Sequence, residues 1–330
     1  MTAAIGLNLP NSGVRDYFEL ARYADSRGVD SLWVSEPQIS ADALTPLAAY
    51  ATVTDRIRLG TAVIPIWTRN PALIAQSFAA LDMLAPGRIV LGLGAWWDPL
   101  ASQVGIEMPK PIGAMREIIE ACRLLWAKDA PVDYSGDLVS LRNVFMEGPA
   151  EPHNIKVFIG AVGPQMLRLA GRIADGVILN GNHTVEATAR EIALLAEGAA
   201  SVGRAIGDIE IAKMIRVKVG DREQLLQEER PRVARYVAQQ PHIAGPAGIE
   251  ADVLSALQDR IPWPATDADV AAAAHLLSDD AVAALGCFGD HDEIRKRVRE
   301  YADTGVDLFI LSRDSQERMR AAVDVLVEGW

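Results

Sequence analysis

Short apolar runs recur along this chain with amphipathic helical stretches between them, and that alternation limits the folds open to it more than any other feature. AIGLNLP, VDSLWVSEP and IRLGTAVIP are strand-like, apolar and bounded by turn residues. Between the first two, VRDYFELARYADSRG places Phe18, Leu20, Ala21 and Ala24 on one broad helical stripe and ends at Gly28. Between the next two, ALTPLAAYATVT repeats the helical signal. Successive strands separated by helices cannot be joined as hairpins, so the pattern predicts a parallel sheet covered by helices. RIVLGLG, IKVFIG, GVILNG, IEIAKMIRVKV and DLFILS continue the strand series, with helical NPALIAQSFAALDMLAPG, GAMREIIEACRLLWAKD, PQMLRLAGRIA, EATAREIALLAEGAASVG and DEIRKRVREYADTG among them. Eight strands make a (β/α)8 TIM barrel the expected α/β fold; a doubly wound sheet is the alternative.

The 330 residues, half of them hydrophobic, suit a single barrel domain over 1–330. Two stretches depart from the alternation. Residues 132–153 contain VDYSGDLVSLRNVFM, where alternating positions flank Ser135, Gly136 and Asp137, as in an inserted hairpin. Residues 221–286 are helix-rich, with Pro231, Pro241, Pro246, Pro262 and Pro264 expected to break them into short pieces lying over the barrel mouth.

Forty-four acidic against thirty-two basic residues give a formal charge of -12, so the average surface repels nucleic acid and anionic membranes while leaving local basic pockets open. The opening MTAAIGLNLP lacks a basic segment before a long apolar run, and no later stretch has the uninterrupted length of a membrane span, which makes cytoplasmic residence the expectation. Cys122 and Cys287 sit in apolar settings and are expected to be buried and reduced. The five histidines are scattered, with no HExxH and no hydrolase triad, so no metal is expected.

The run TAVIPIWTRNPALIAQSFAALDMLAPGRIVLGLGA, followed by VFIGAVGPQMLRLAGRIADGVILN, resembles the bacterial luciferase-like superfamily, and within it methylenetetrahydromethanopterin reductase and its bacterial relatives. The likeness extends to FGDHDEIRKRVREYADTGVDLFIL, nearly the whole chain. It implies an enzyme whose cofactor lies across the carboxyl ends of the strands, either the deazaflavin F420 or FMN, with a small or medium organic molecule as the hydride-transfer substrate and a homodimer as the assembly. The alternatives it leaves are an FMN-dependent monooxygenase, a flavin-free NADH-dependent methylenetetrahydrofolate reductase and a noncatalytic binding barrel.

Mapped on this sequence, the resemblance places Ser35 and Glu36 beside the cofactor ring, with Glu36 as a carboxylate able to orient a ring nitrogen or relay a proton. It also implies a bulge with a non-proline cis bond at Thr61–Ala62 or Ala62–Val63, and sets Thr68 and Asn70 next to the cofactor. Gly92 and Gly94, followed by Ala95, permit close approach of backbone to a ligand, and Trp96 and Trp97 offer an apolar wall for the substrate. In GAVGPQM, Gly160, Ala161, Val162 and Gly163 precede Pro164 at a helix start, a combination that aims amide donors at a phosphate. Reductases of this branch carry an acid in the first strand, whereas this chain has Asn8, which is no acid and is expected either to contact the substrate or to satisfy strand-end backbone groups. His183 is the histidine expected in the pocket, and Arg69, Lys110 and Lys213 are the cations expected to meet an anionic tail.

Overall fold

Eight parallel strands close on themselves in the computed structural model, which describes residues 3–148 and 151–329. They are β1 Ala4–Leu9, β2 Ser31–Val34, β3 Arg58–Thr61, β4 Ile89–Gly94, β5 Lys156–Ala161, β6 Gly176–Leu179, β7 Glu210–Ile215 and β8 Leu308–Leu311. Each pairs with the next, and β8 returns to β1 through Ala4 opposite Leu308 and Leu7 opposite Leu311. That last pairing selects the barrel over the doubly wound sheet, which has two free edges.

Alternation along each strand sorts the side chains into two layers. Leu7, Leu32, Leu59, Leu91, Val157, Val177 and Phe309 face outward and pack with the helices in the main core. Trp33, Val90, Phe158, Ile178, Ala212, Leu308 and Ile310 fill the lumen, with the Trp33 and Phe158 rings 5.7 Å apart. These two large rings fit because their neighbours carry no side chain. A Cβ on Gly60 would stand 2.5 Å from Trp33, and one on Gly176 would stand 2.5 Å from Phe158.

Two expectations about the connections need correction. IEIAKMIRVKV is not one strand: β7 stops at Ile215, and Val217–Val219 leaves the barrel to pair in parallel with Cys287–Gly289. The break falls at Arg216, whose carbonyl accepts from the Cys287 amide while Ile215 still serves Ser312 of the barrel. Pro231 does not break its segment either; it lies inside the helix Arg222–Gln239. A proline there removes one backbone bond. The helix survives because Leu225, Leu226, Val233, Ala234 and Val237 are buried in a second apolar cluster running from Leu225 to Phe288.

The hairpin pairs Val132–Ser135 with Ser140–Val144. Its turn is tied to the helix Pro111–Ala127 by Glu117, which is 2% exposed and accepts from the amides of Asp137, Leu138 and Val139. Burial pushes this carboxyl up, but the three amide bonds outweigh it and hold the group below its ordinary value. Among the described residues no helix is long and apolar enough to cross a membrane. Cys122 and Cys287 are free buried thiols, each pushed up to about 12, chiefly by burial.

Candidate functional site at the barrel mouth

Strand β3 ends in a bulge that the neighbouring strands hold by name. The peptide bond between Ala62 and Val63 is cis. Ala62 donates its amide to Val34 at 2.9 Å, and Val63 accepts from the Glu36 amide at 3.1 Å, so the bulge hangs from the end of β2. On its other side Thr61 Oγ1 donates to the Gly92 carbonyl at 2.8 Å and accepts from the Gly92 amide at 2.9 Å.

A short chain of hydrogen bonds above the bulge fixes one amide orientation. The Ala62 carbonyl can only accept, so the Ser35 hydroxyl donates to it. That leaves the Ser35 oxygen as an acceptor, and Asn8 meets it with Nδ2 at 2.6 Å. Asn8 Oδ1 is therefore turned away, buried and without a partner. An Asn8→Asp variant removes the donor that Ser35 accepts from. Its carboxyl must be protonated to satisfy Ser35, so its pKa is expected to be raised. A raised acid binds more protons folded than unfolded, so the variant's stability relative to the parent should fall with increasing pH, from about 4 up to the raised pKa, by about 1–3 kcal/mol. Urea midpoints that track those of the parent across this range would discard the assigned orientation.

Two adjoining cavities open here. One, of about 230 Å³, has Ala62 and Val63 in its wall, with Glu36, Pro37 and Trp96 around them. The other, of about 220 Å³, has Asn8, Asn180, Asn182, Arg216 and Arg232. Ser35, Met214, Tyr236 and Arg313 line both. All lie at the carboxyl ends of strands or reach over them, where barrels carry their chemistry.

Of the residues expected at the site, Asn8, Ser35, Glu36, Ala62, Val63 and Trp96 line these cavities. Glu36 is not a free carboxylate. Arg69 grips both its oxygens at 3.0 Å, and the Ala43 amide adds a third bond at 3.2 Å, so Glu36 and Arg69 buttress the wall together. Thr61 sits beneath the bulge, fully buried.

Two of the glycines face the bulge. A Cβ on Gly94 would stand 2.4 Å from Val63 Cγ2, and one on Gly160 2.9 Å from Val63 Cγ1. They make room for the bulge residue.

Other expected contacts lie elsewhere. Thr68 donates to the Pro65 carbonyl, and Asn70 caps the helix Pro71–Leu84 through the Ala72 amide. Both are spent on local structure and neither lines these two cavities. Ala95 accepts from Trp67. Trp97 packs edge-on to Trp263 of the excursion, with ring centres 4.4 Å apart. His183 is buried outside the two cavities, with Nδ1 2.6 Å from Glu191 and its ring edge-on to His242. Ala161 is buried, Val162 is exposed, and Gly163 begins the helix Pro164–Ile173 with open space before it; none of the three lines either cavity.

Of the expected cations, Lys110 pairs with Asp137 on the hairpin. Lys213 is fully buried, donates to the Asn180 carbonyl and is lowered to about 8 by burial, against the pull of Glu191.

The residues missed in the sequence are Asn180, Asn182, Met214, Arg216, Arg232, Tyr236 and Arg313. NGN and SRD stand just past strand ends, a position that by itself points at the mouth of a barrel. Arg232 and Tyr236 come from the excursion helix, and no local pattern announces them. That helix is anchored by Glu229, 2% exposed, which meets Arg216 at 3.0 Å, Lys218 at 2.6 Å and Arg232 at 2.6 Å.

Comparison with known proteins agrees with this geometry. The chain is 28% identical over 295 residues to a 5,10-methylenetetrahydromethanopterin reductase of Archaeoglobus fulgidus, covering 88% of each chain. It is 30% identical over 327 residues to an F420-dependent glucose-6-phosphate dehydrogenase of Rhodococcus erythropolis, covering 93% of this chain and 90% of that one. The solved F420-dependent tetrahydromethanopterin reductase of Methanopyrus kandleri superposes with a TM-score of 0.87 over 99% of this chain and 98% of its own, at 22% identity. With the model for luciferase-like monooxygenases matching residues 2–308, this chain belongs to the luciferase-like monooxygenase family of enzymes.

Proposed function

We propose that the protein is an F420-dependent oxidoreductase acting on a small organic substrate. The observation that carries this reading is the pair of adjoining cavities sharing Ser35, Met214, Tyr236 and Arg313, one with an apolar share of Pro37, Ala62, Val63, Pro65 and Trp96 and the other more polar. Relatives named as F420-dependent along nearly the whole chain support the same cofactor.

The residues present fit a flat, partly apolar ring. Ala62 and Val63 line the cavity, with Trp96 and Met214 beside them. When bound, the deazaflavin supplies hydride chemistry that no side chain here possesses. The chain's own part is to bind, orient and keep out water. The bonds from Val34, Ser35 and Glu36 keep the bulge in place, and the Glu36–Arg69 pair stiffens the segment entering the next helix. Asn8 Oδ1 accepts an O–H or N–H from the substrate and so orients it, but as an amide it does not exchange that proton. We place the GAVG segment, Gly160 to Gly163, toward the cofactor's phosphate, where the uncapped start of the helix Pro164–Ile173 offers amide donors. The same reading has residues 221–286 covering the mouth and a homodimer formed through exposed Leu73, Met83 and Leu124.

Equilibrium titration of F420, FMN and NADH under one buffer and salt condition tests the cofactor. Selective binding of F420 is the expected result; selective binding of FMN or NADH would replace it with the monooxygenase or the folate reductase.

A further inference from the structure

The polar cavity has cationic donors and no carboxylate in its wall. Arg216, behind the mouth, is saturated by Glu229 and Asp314. Arg313 is not. It follows β8, lines both cavities, and its guanidinium has no hydrogen-bond or ion-pair partner among the described residues, while its carbonyl accepts from Arg216 and fixes the backbone there. Arg232 gives Nε to Glu229 and Nη1 to Asn182 Oδ1 at 3.1 Å, but its Nη2 is buried with no acceptor. Across the same cavity stands Asn8, 1% exposed, with the unpartnered Oδ1 already described.

A buried guanidinium N–H and a buried amide oxygen left unmet are both costly, and a ligand with an acceptor at one end and a donor at the other satisfies both. We infer that this cavity takes a small substrate carrying an oxyanion, carboxylate or phosphate, at Arg313 and Arg232, and an O–H or N–H donor at Asn8. The volume of about 220 Å³ lies below the range of about 300–1,000 Å³ usual for drug-sized ligands, which restricts the molecule to a few carbons. A planar fork that meets two oxygens at once favours such a terminus over a neutral one. The inference deepens the proposed function for the same site, but the binding it predicts does not require the cofactor to be F420.

Ligand-observed saturation-transfer NMR on the full chain, with and without F420, tests it using 2-hydroxybutyrate, butyrate, butane-1,2-diol and glycerol 3-phosphate as probes. At least one of the two hydroxylated anions is expected to bind, butyrate more weakly, and the diol not measurably. Arg313→Gln should weaken the anions by about tenfold or more. Arg313→Lys, which keeps the charge and loses the fork, should fall between. Asn8→Ala should erase the preference for 2-hydroxybutyrate over butyrate, or, where phosphate is the preferred oxyanion, weaken glycerol 3-phosphate. Preference between 2-hydroxybutyrate and glycerol 3-phosphate identifies the oxyanion. F420 affinity of each variant is read separately from deazaflavin fluorescence. Anion binding that ignores Arg313→Gln, diol binding as tight as that of the acids, absence of anion binding in the parent, or loss of F420 in place of the anions overturns the inference. Anion binding through Arg313 in a protein that does not take F420 upholds it and overturns only the cofactor.

Discussion

Gly92→Ala is expected to lower the stability of this protein by about 3 kcal/mol, the upper end of what overpacking costs. The added Cβ would fall 1.8 Å from the Thr61 carbonyl oxygen and 2.9 Å from the carbon that bears it. These are backbone atoms, so no side-chain rotation relieves the clash. Thr61 is held by two bonds to Gly92 itself, and the following residue is held to Val34. Relief therefore requires the β3 bulge to move off β4, taking Ala62 and Val63 with it. The urea midpoint of the variant should drop, and F420 titration should show a further loss, because the displaced residues form the cavity wall. Gly207→Ala is the control: no atom lies within 4 Å of its new Cβ and its backbone is not left-handed, so its midpoint should stay within about 0.5 kcal/mol of the parent. A Gly92→Ala protein as stable as this control would show that the bulge is not pressed against β4.

Gly92 also shows where reading the sequence stops. The absence of a side chain is visible in GLGAWW, and so is the need for close approach; what approaches is not. Thr61 and Val63 occupy the space beside Gly92 and Gly94, and they come from a segment some thirty residues earlier. The barrel was legible because strand and helix periods are local properties, repeated often enough that single misreadings do not change the fold. IEIAKMIRVKV was misread for the same reason: its apolar pattern continues past Ile215, and only the Cys287–Gly289 strand, distant in sequence, diverts Val217–Val219 from the barrel. Glu36 was placed at the mouth by the family resemblance, but its engagement by Arg69 is a tertiary fact. His183 shares with Asn180 and Asn182 a place just after β6, yet its ring turns toward Glu191 and away from the cavities. Position past a strand end brings a residue near the mouth; the packing of the next helix decides which way it points.

Glu229→Gln is expected to cost about 3–5 kcal/mol at neutral pH, because it leaves Arg216, Lys218 and Arg232 without the one buried charge they share. The amide has nearly the same shape, so packing of the helix Arg222–Gln239 is not the source of the loss. The pH dependence separates charge from shape. Burial pushes the Glu229 carboxyl up, but Arg232, Arg216 and Lys218 outweigh it and hold the group at about 2, against 4.5 for an ordinary glutamate. A carboxyl depressed in the fold stabilises above its unfolded pKa and loses that contribution as pH falls through the folded one. The gap between parent and variant should therefore be full above pH 4.5 and shrink by on the order of 3 kcal/mol as pH falls toward 2. Glu228, also held at about 2 by Arg318 and Lys218, is present in both proteins, so it adds to the acid loss of each without creating the difference. Denaturant titrations of the two proteins at pH 7, 4.5 and 3 measure this directly, and a gap that stays constant would mean the loss comes from shape. The same substitution reaches the mouth, since Arg232 is held over the polar cavity by Glu229 on one side and Asn182 on the other. Freed from Glu229, its guanidinium loses one of its two fixed bonds, so, on the proposed role of Arg232, affinity for small oxyanions should fall together with stability even where the variant remains folded.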